Sequence, residues 1–473
     1  MRVLVLGAAV SGMAAARLAV RTGHDVTVYD ADPASATAAP LGTAVTDPAI
    51  AVATGAWRPE VLAGIDLVVT SPGIPEAAPP IVDALEAARS NRLRVVAELE
   101  FASAHLDAPY VAVTGTNGKT TVTETAAAML TASGLKACAA GNVGLALSDV
   151  ALEPWDCVVV EASSFQLRFI DRFRPDAAAV LNVAPDHLDW HGGFAGYLAA
   201  KTRIHENQRP GDIVAYDPDD PGAVSAVAAA RSQRVPISGT HRPMSGNGPQ
   251  GGRLHIGDLA FPVPDLDAVW LFDVAVAATL AAHVGAEAEG IAAVAAAFTP
   301  GAHRRTVVAE WSGITWVDDS KATNPHAAVA AAGAYPSVIL IAGGRNKGLD
   351  LSPLTAVPSV RRIVAIGEAA PDLASAGGDR VDVAADLADA VRIAASLAMP
   401  GDTVLLAPGA ASFDMFTSYA ARGDAFVAEV AHILGNAVTA TALTETAPEG
   451  VEETRSAGTG AVANEPGDDD GGA

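Results

Sequence analysis

YVAVTGTNGKTT, residues Tyr110 to Thr121, decides the fold of this chain, because it predicts a strand, a glycine turn and the start of a helix. Gly115 and Gly118 let the backbone turn tightly and point its N–H groups inward, and the helix that opens at Lys119 adds its positive end. Lys119 can then reach the β- and γ-phosphates of a nucleotide, and Thr120 can bind Mg²⁺. The stretch therefore predicts a phosphate-binding loop.

The match to the strict phosphate-loop pattern is incomplete. That pattern has a glycine five residues before Gly118, where this chain has Val113. A glycine turn between a strand and a helix is often only a connection, and this alternative stays open here. The Lys-Thr pair favours nucleotide binding, and the predicted phosphate-binding residues are Gly115, Thr116, Asn117, Gly118, Lys119, Thr120 and Thr121.

The composition indicates a multidomain globular protein. The 473 residues, half of them hydrophobic, suffice for about two to four domains with separate cores. A net charge of −24 argues against nonspecific nucleic-acid binding, which requires surplus Lys and Arg. No apolar run is long enough to span a bilayer, so we expect no membrane insertion.

The cysteines and the N-terminus predict a cytoplasmic location. Cys138 and Cys157 are too few for a disulfide framework and lie among small or apolar residues, as buried thiols in a reducing compartment do. The N-terminal stretch MRVLVLGAAVSG runs straight into a strand and turn, without a charged and then apolar signal region.

The first block of the chain alternates short β-rich runs with Ala-rich helical stretches, which is typical of a parallel sheet. Its first turn, GAAVSG, is similar to the dinucleotide fingerprint but has Ala9 at the middle glycine, and Asp30 ends the second strand. A nucleotide could bind there, with Asp30 near its ribose or base. An ordinary packing turn explains the pattern equally well.

The second block adds candidate metal and catalytic residues. Glu161 ends a buried strand, where a carboxylate can hold the Mg²⁺ that neutralises phosphate charge. His187 follows another strand, and Lys201 lies on a helix one turn after Tyr197. Taken singly, a strand-end Glu is often a cap or ion pair, and a helix Lys is usually solvated.

The third block again alternates strands and helices, and strand after strand ends in Gly, Asp, Ser or Lys. This repetition predicts a binding cleft along one edge of the sheet. The residues after the block are acidic and nearly free of large apolar side chains, which predicts disorder. The expected ranges are 1–106, 107–302 and 303–436 for three domains and 437–473 for a disordered acidic tail.

Six stretches together resemble the Mur ligase family: GTNGKTT, the strand of Glu161, DHLDWH, YLAAKTRIHENQ, DDSKATNPHA and GGRNKG. The resemblance covers nearly the whole chain apart from the tail. It implies an α/β fold with a Rossmann-like uridine-nucleotide domain, a central phosphate-loop ATPase domain with a mostly parallel sheet, and a C-terminal Rossmann-like domain. It also implies ATP-dependent amide ligation through an acyl phosphate, by a protein expected to be a monomer.

The resemblance further implies the substrates. AGGRNKG and LLAPGAASFDMF are similar to a D-glutamate site, and the first block is similar to a uridine domain. Family members that add diaminopimelate or lysine usually show a DNPR-type motif, where this chain has KATNPHA. The implied partners are therefore UDP-N-acetylmuramoyl-L-alanine and D-glutamate.

The roles implied for single residues are as follows. Thr120 and Glu161 serve one Mg²⁺, His187 and a carbamylated Lys201 serve a second Mg²⁺, and Asn142 helps to hold the carboxylate that is activated. Arg304, Asp319 and Lys321 close over ATP, and Thr323, Lys347, Ser412 and Tyr419 hold D-glutamate. Ser11, Asp30, Ser71 and Gly73 contact the uridine nucleotide.

Two stretches depart from the family pattern. An Asn-rich adenine motif is replaced by LFDVAVAAT, with Asp273 and Val276 in the corresponding places, which puts the adenine contacts in doubt. Ala31 and Asp32 follow Asp30 where polar or basic side chains would help the nucleotide.

Three alternative functions remain at this point. The chain could be a nicotinamide oxidoreductase, a nucleotide-gated binding module, or another amide ligase of Mur or folylpolyglutamate type. The three-domain length and the apparent uridine domain argue against the folylpolyglutamate type.

Overall fold

The structure, a computed structural model, describes residues 1–32, 47–90, 93–244 and 246–445. Its elements form three mostly parallel sheets with helices packed against them, and one small antiparallel sheet. The predicted α/β class is confirmed.

The first sheet has five parallel strands in the order β3-β2-β1-β4-β5. Val and Leu side chains of β1 and β4 are buried on both faces, as expected of strands covered by helices on both sides. The order reverses between β1 and β4, so a crevice opens at their carboxyl ends. The strands are β1 Arg2–Leu6, β2 Asp25–Asp30, β3 Ile50–Thr54, β4 Leu67–Thr70 and β5 Arg94–Ala97, with helices Val10–Arg21, Pro79–Arg89 and Glu98–Ser103 and a 3₁₀ turn Pro59–Leu62.

The second sheet has six parallel strands in the order β11-β10-β9-β6-β8-β7, which places the strand of the phosphate loop between β9 and β8. The strands are β6 Tyr110–Thr114, β7 Ala137–Gly141, β8 Cys157–Glu161, β9 Ala177–Val180, β10 Ile213–Tyr216 and β11 Gln233–Pro236. The helices are Lys119–Ala132, Leu147–Val150, Ser164–Leu167, Leu188–His191, Phe194–Thr202, Pro221–Val227, Ala268–His283 and Ala288–Ala296, with a 3₁₀ turn Arg203–His205.

One face of the second sheet packs under the helices Lys119–Ala132 and Ala268–His283. Side chains of its other face belong to the same hydrophobic core as the first sheet. The antiparallel strands β12 Gly248–Gln250, β13 Arg253–Ile256 and β14 Leu259–Phe261 form the small sheet beside the helix Ala268–His283.

The third large sheet has the order β15-β16-β20-β17-β18-β19, with β15 antiparallel to β16 and the other pairs parallel. The strands are β15 Thr306–Trp311, β16 Ile314–Asp318, β17 Val338–Gly343, β18 Val360–Ile366, β19 Val381–Val383 and β20 Thr403–Leu406. The helices are Pro325–Gly333, Pro353–Ala356, Ala370–Gly377, Leu387–Leu397 and Tyr419–Glu445, with a 3₁₀ turn Gly378–Arg380.

The domain ranges stay predictions, although each large sheet lies inside one of them. The range 437–473 needs a correction in its first part, because the helix that starts at Tyr419 continues to Glu445. The later part of the predicted acidic tail lies outside the described residues. None of the helices in the described ranges combines the length and the hydrophobicity that a bilayer span requires.

Candidate active site

The phosphate loop connects β6 to the helix Lys119–Ala132 through Gly118, whose φ of 86° is left-handed. A Cβ at this position would lie 2.9 Å from Asp273 Oδ1 and 3.0 Å from Leu181 Cδ1, so the turn requires glycine. Lys119 Nζ folds back over the loop and donates to the carbonyl oxygens of Gly115, at 2.8 Å, and Thr116, at 3.0 Å. The ammonium group therefore lies over the concave side of the loop, where a phosphate would bind.

The segment after β9 holds the loop in place. Asn117 N donates to Asn182 Oδ1 at 2.8 Å. Thr116 Oγ1 donates to Ala184 O at 3.1 Å, accepts from Ala184 N at 3.0 Å and contacts the Tyr197 hydroxyl at 3.1 Å. These bonds show that the Thr116 side chain shapes the loop.

Lys201 lies beneath the loop and is almost completely buried. Its Nζ donates to Gly115 O at 2.7 Å and lies 4.6 Å from the centre of the Tyr197 ring. Lys119 and Lys201 thus bind the same carbonyl oxygen. Burial lowers the pKa of Lys201 well below its ordinary value, and the neighbouring Lys119 charge lowers it further. The site therefore favours a neutral amine at Lys201.

Glu161 and Asn142 meet at the ends of the adjacent strands β8 and β7. Asn142 Nδ2 donates to Glu161 Oε1 at 2.9 Å, and Asn142 N donates to the Glu161 carbonyl at 2.9 Å. Thr120 and Glu161 line the same cavity. A hydroxyl and a carboxylate fit Mg²⁺, which keeps water and phosphate oxygens as its other ligands.

His187 is the N-cap of the short helix Leu188–His191 and has a left-handed φ of 51°. Burial lowers the pKa of its imidazole, which favours the neutral form that can bind a metal ion. In the described part of the chain, no three His, Cys, Asp or Glu side chains cluster as a metal site.

The predicted ATP residues of the second and third domains meet in one cavity of about 620 Å³. Burial raises the pKa of Asp319 to about 7. Burial, and next the Arg304 charge, lower the pKa of Lys321 to about 8, and its Nζ lies 5.2 Å from the centre of the Tyr419 ring. The predicted residues that line the cavity are Thr116, Asn117, Gly118, Lys119, Thr120, Asn142, Glu161, His187, Arg304, Asp319, Lys321, Thr323 and Tyr419.

The structure brings only part of the predicted D-glutamate group together. Thr323 and Tyr419 line the cavity, whereas Lys347 and Ser412 do not. Lys347 Nζ instead lies 3.6 Å from Asp186 Oδ1, across the boundary between the two domains. Ser412 is buried in the loop after β20.

The predicted uridine contacts lie at the crevice of the first sheet. Asp30 Oδ2 accepts from Ala8 N at 2.8 Å, so this carboxylate braces the first turn. Ser71 Oγ is buried close to Gly7 and has no hydrogen-bond partner among the residues that the structure describes. Ser11 is half-buried and Gly73 is exposed. An unpaired buried hydroxyl at a switch point is compatible with a ligand-binding role.

Asp273 and Val276, the two residues of LFDVAVAAT that depart from the adenine motif, lie in different surroundings. Asp273 lines the cavity near the phosphate loop, and burial raises its pKa to about 7. Its Oδ2 atom has no hydrogen-bond partner among the described residues. Val276 is fully buried in the core between the second sheet and the helix Lys119–Ala132.

Sequence reasoning missed four residues of the site. Asn182 braces the loop, Asp186 contacts Lys347, and Asn324 and His326 reach across from the third domain to Asn117. Asn324 precedes Pro325, which is a helix-start pattern and the one available signal. The other contacts join distant parts of the chain.

Three family models match the chain. They are the Mur ligase MurD-like N-terminal domain over residues 1–91, the Mur ligase middle domain over residues 113–242, and the Mur ligase glutamate ligase domain over residues 303–410.

Curated relatives match over most of their length. The chain is 44% identical to a UDP-N-acetylmuramoylalanine--D-glutamate ligase of Frankia casuarinae, over 90% of this chain and 93% of the relative. It is 39% identical to the protein of that name from Thermobifida fusca, over 92% of this chain and 99% of the relative.

Solved structures share the fold at low sequence identity. A pseudomurein peptide ligase type C from Methanothermus fervidus matches with a TM-score of 0.55 and 16% identity, over 86% of this chain and 96% of that one. MurF ligase from Thermotoga maritima, solved in complex with ADP, matches with a TM-score of 0.54 and 16% identity, over 77% of this chain and 93% of that one. With the three domain matches and the curated relatives, these findings show that the chain belongs to the Mur ligase family.

Proposed function

We propose that the protein joins D-glutamate to UDP-N-acetylmuramoyl-L-alanine in an ATP-dependent reaction. The observation that carries this proposal is the single cavity in which Lys119 and Glu161 of the second domain face Arg304 and Lys321 of the third. Relatives that share 39% to 44% of the sequence carry the name of this activity. The same names favour this substrate pair over that of another Mur-type or folylpolyglutamate-type ligase.

The reaction follows from the arrangement of charges. The terminal carboxylate of the acceptor attacks the γ-phosphorus of ATP, ADP leaves, and an acyl phosphate forms. The D-glutamate amine then attacks the acyl carbon, loses a proton and expels phosphate. Lys119, Arg304 and Lys321 supply positive charge around the transferred group, and Asn142 is placed to orient the carboxylate.

Two Mg²⁺ ions, when bound, neutralise phosphate charge and align the reacting groups. The first has Thr120 and Glu161 as its protein ligands in this proposal. The second has His187 and Lys201.

Lys201 needs a carbamate to bind Mg²⁺, because this ion prefers oxygen ligands and the amine offers none, whereas the carbamate carboxylate offers two. Two features support carbamylation. Burial and Lys119 favour the neutral amine, which is the form that attacks CO₂. Lys119 and the metal would then lie near the new anion and stabilise it.

The residues that bind the two substrates are assigned from where they lie in the structure. Ser71, Ser11, Gly73 and Asp30 at the crevice of the first sheet are proposed to take the uridine nucleotide. Thr323, Lys347, Ser412 and Tyr419 are proposed to take D-glutamate, which requires Lys347 to leave Asp186. We further propose that the protein acts in the cytoplasm as a monomer.

The central test measures phosphate release from ATP in the presence of UDP-N-acetylmuramoyl-L-alanine. We expect product formation with D-glutamate and not with L-glutamate, D-aspartate, L-alanine or meso-diaminopimelate. Turnover that does not depend on D-glutamate would refute the proposal. NADH binding without ATP turnover would support an oxidoreductase, and ATP binding without phosphate release would support a binding module.

The Lys119→Ala variant should lose turnover by at least about a thousandfold, because the charge over the phosphates is removed. Phosphate release under saturating substrates measures this. A near-normal rate would remove Lys119 from the phosphate site.

The Lys201→Ala variant should be nearly inactive and should recover part of its activity when short carboxylates such as acetate or propionate are added. The small acid can occupy the place of the carbamate beside the metal. Full activity of the variant without any acid would exclude the metal-bridging role.

A further inference from the structure

The side chain of Asn117, in the phosphate loop, binds two residues of the third domain. Asn117 Nδ2 lies 3.3 Å from Asn324 Oδ1, and Asn324 Nδ2 lies 2.9 Å from Asn117 Oδ1, so the two amides pair face to face. Asn117 Nδ2 also lies 3.0 Å from His326 Nδ1. Asn324 and His326 flank Pro325, the first residue of the helix Pro325–Gly333.

The hydrogen bonds fix which way each group points. Asn324 Oδ1 caps its helix by accepting from Ala327 N at 2.9 Å, so its Nδ2 must face away from the cap. That orientation makes Asn117 present Nδ2 towards Asn324 Oδ1 and towards His326. Nδ1 of His326 must therefore accept, which requires an unprotonated Nδ1 atom.

The same contact region includes Asp186. Asn324 Nδ2 lies 3.4 Å from Asp186 Oδ2, and Lys347 Nζ lies 3.6 Å from Asp186 Oδ1. Asn117 and Asp186 belong to the second domain, and Asn324, His326 and Lys347 belong to the third. Lys347 is proposed to leave this region for D-glutamate, whereas His326 lines the cavity beside Asn324.

We propose that His326 is a positioning residue that latches the third domain onto the phosphate loop while the acyl phosphate waits for the amine. This inference rests on the proposed function. The latch works through Asn117, whose backbone lies in the phosphate loop itself, so a shift of the loop and a shift of the third domain are mechanically linked. Its purpose is to exclude water from the cavity that the two domains form.

Loss of the latch has a specific chemical consequence. Water that reaches the acyl carbon attacks it, expels phosphate and restores the carboxylate. ATP is then consumed without an amide product. The diagnostic quantity is the ratio of phosphate released to amide formed, which a general loss of folded enzyme would leave unchanged.

Two substitutions at His326 separate the hydrogen bond from the shape of the ring. His326→Phe keeps a ring and removes the acceptor. His326→Asn keeps an acceptor, because its Oδ1 stands on Cγ where Nδ1 stood. His283→Phe is the matched control, since His283 is exposed at the end of the helix Ala268–His283 and does not line the cavity.

We expect His326→Phe to raise the ratio of phosphate to amide, and the KM for D-glutamate, by about five- to tenfold, as the loss of one neutral hydrogen bond would. His326→Asn should stay within about twofold of the wild type, and so should His283→Phe. Phosphate and amide are quantified in the same reaction, with all three substrates present.

Two results would overturn the latch. One is an unchanged ratio in His326→Phe, and the other is a defect in His326→Asn as large as in His326→Phe. Failure of the proposed function would look different, because the wild type itself would then release phosphate without dependence on D-glutamate. If His326→Phe did not fold, a ratio in His326→Asn more than about twofold above that of the wild type would still overturn the acceptor role.

Discussion

Asp273 illustrates, at the scale of one residue, how a buried charge points to a ligand. Burying a carboxylate without a partner is unfavourable, and here burial raises its pKa to about 7. Trp270, one turn earlier on the same helix, also lines the cavity and packs against the Arg305 guanidinium, so a flat base can bind beside the carboxylate and this aromatic-cationic pair. An amino group on that base, as in adenine, would supply the missing donor.

The Asp273→Leu variant should therefore lose the preference for ATP over ITP, which lacks the amino group. We expect the ratio of kcat/KM values for the two nucleotides to fall by about ten- to a hundredfold, because a hydrogen bond to a charged group is lost. Val276→Ala is the matched control on the same helix. It should weaken the core and leave the nucleotide preference unchanged, and an unchanged preference in Asp273→Leu would contradict the contact.

Single residues also show what the sequence could and could not predict. The phosphate-loop Lys and the strand-end Glu161 were predictable, because local spacing places them at the carboxyl edge of a sheet. The side-chain pairing of Asn117 with Asn324 and His326 was not, since it joins residues about two hundred positions apart. The burial of Val276 was not predictable either, because the exposed and buried faces of an almost wholly apolar helix cannot be separated by pattern.

At the scale of elements, the helix Tyr419–Glu445 supports three strand ends at once. Arg422, on its first turns, is fully buried and donates to Ser320 Oγ, Ser320 O and Ala410 O at 3.0, 2.9 and 3.2 Å. A Cβ at Gly344 would lie 3.3 Å from the same guanidinium. The loops after β16, β20 and β17 thus all contact the side chain of Arg422.

Arg422→Met should destabilise the third domain by about 2 to 4 kcal/mol, because three buried acceptors lose their donor. The KM for D-glutamate should rise as well, since Lys321, Lys347 and Ser412 lie on those loops. Urea unfolding followed by Trp fluorescence measures the first effect. Arg392→Met, at an exposed arginine of the same domain, should change stability by less than about 0.5 kcal/mol, and equal effects of the two variants would contradict the role of Arg422.

Helices and strands with a strong periodic sequence pattern were predictable, and those with a weak pattern were not. The Val-rich strands β1, β2 and β4 follow from their apolar runs and bounding turns. The small antiparallel sheet lies in a segment rich in Gly and Pro, where three-residue strands leave little periodic signal. The helix beyond residue 436 also escaped prediction, because helix propensity and helix periodicity are weak guides in a stretch so rich in Ala and Thr.

At the scale of the whole molecule, the first two domains meet around a buried acid. Glu98 is fully buried and accepts from Ser148 N at 2.6 Å, while its Oε2 atom has no hydrogen-bond partner in the described part of the chain. The nearby pair Arg17–Asp149 is partly exposed, and such pairs contribute little. Burial raises the pKa of Glu98 to about 7. The stability of the domain interface therefore depends on whether Glu98 is protonated.

The sign of this linkage follows from the raised pKa. The folded state binds the proton of Glu98 more tightly than the unfolded state, so the stabilising contribution is fully present below a pH of about 4.5 and is lost as the pH rises to about 7. Glu98→Gln, which keeps an acceptor for Ser148 N and carries no charge, should raise stability at pH 8 by up to about 3 kcal/mol. At pH 4, where the native acid is protonated in both states, the variant should match the wild type.

Thermal unfolding at the two pH values measures this difference, and Glu100→Gln is the matched control on the same helix. The Glu100 carboxylate accepts from three backbone N–H groups, of Asp171, Arg172 and Phe173, so its neutral replacement should lower stability at pH 8. The same substitution at these two buried acids, two positions apart in the sequence, should therefore change the stability at pH 8 in opposite directions. Equal destabilisation by both substitutions at pH 8 would mean that Glu98 is ionised and fully satisfied at the domain interface.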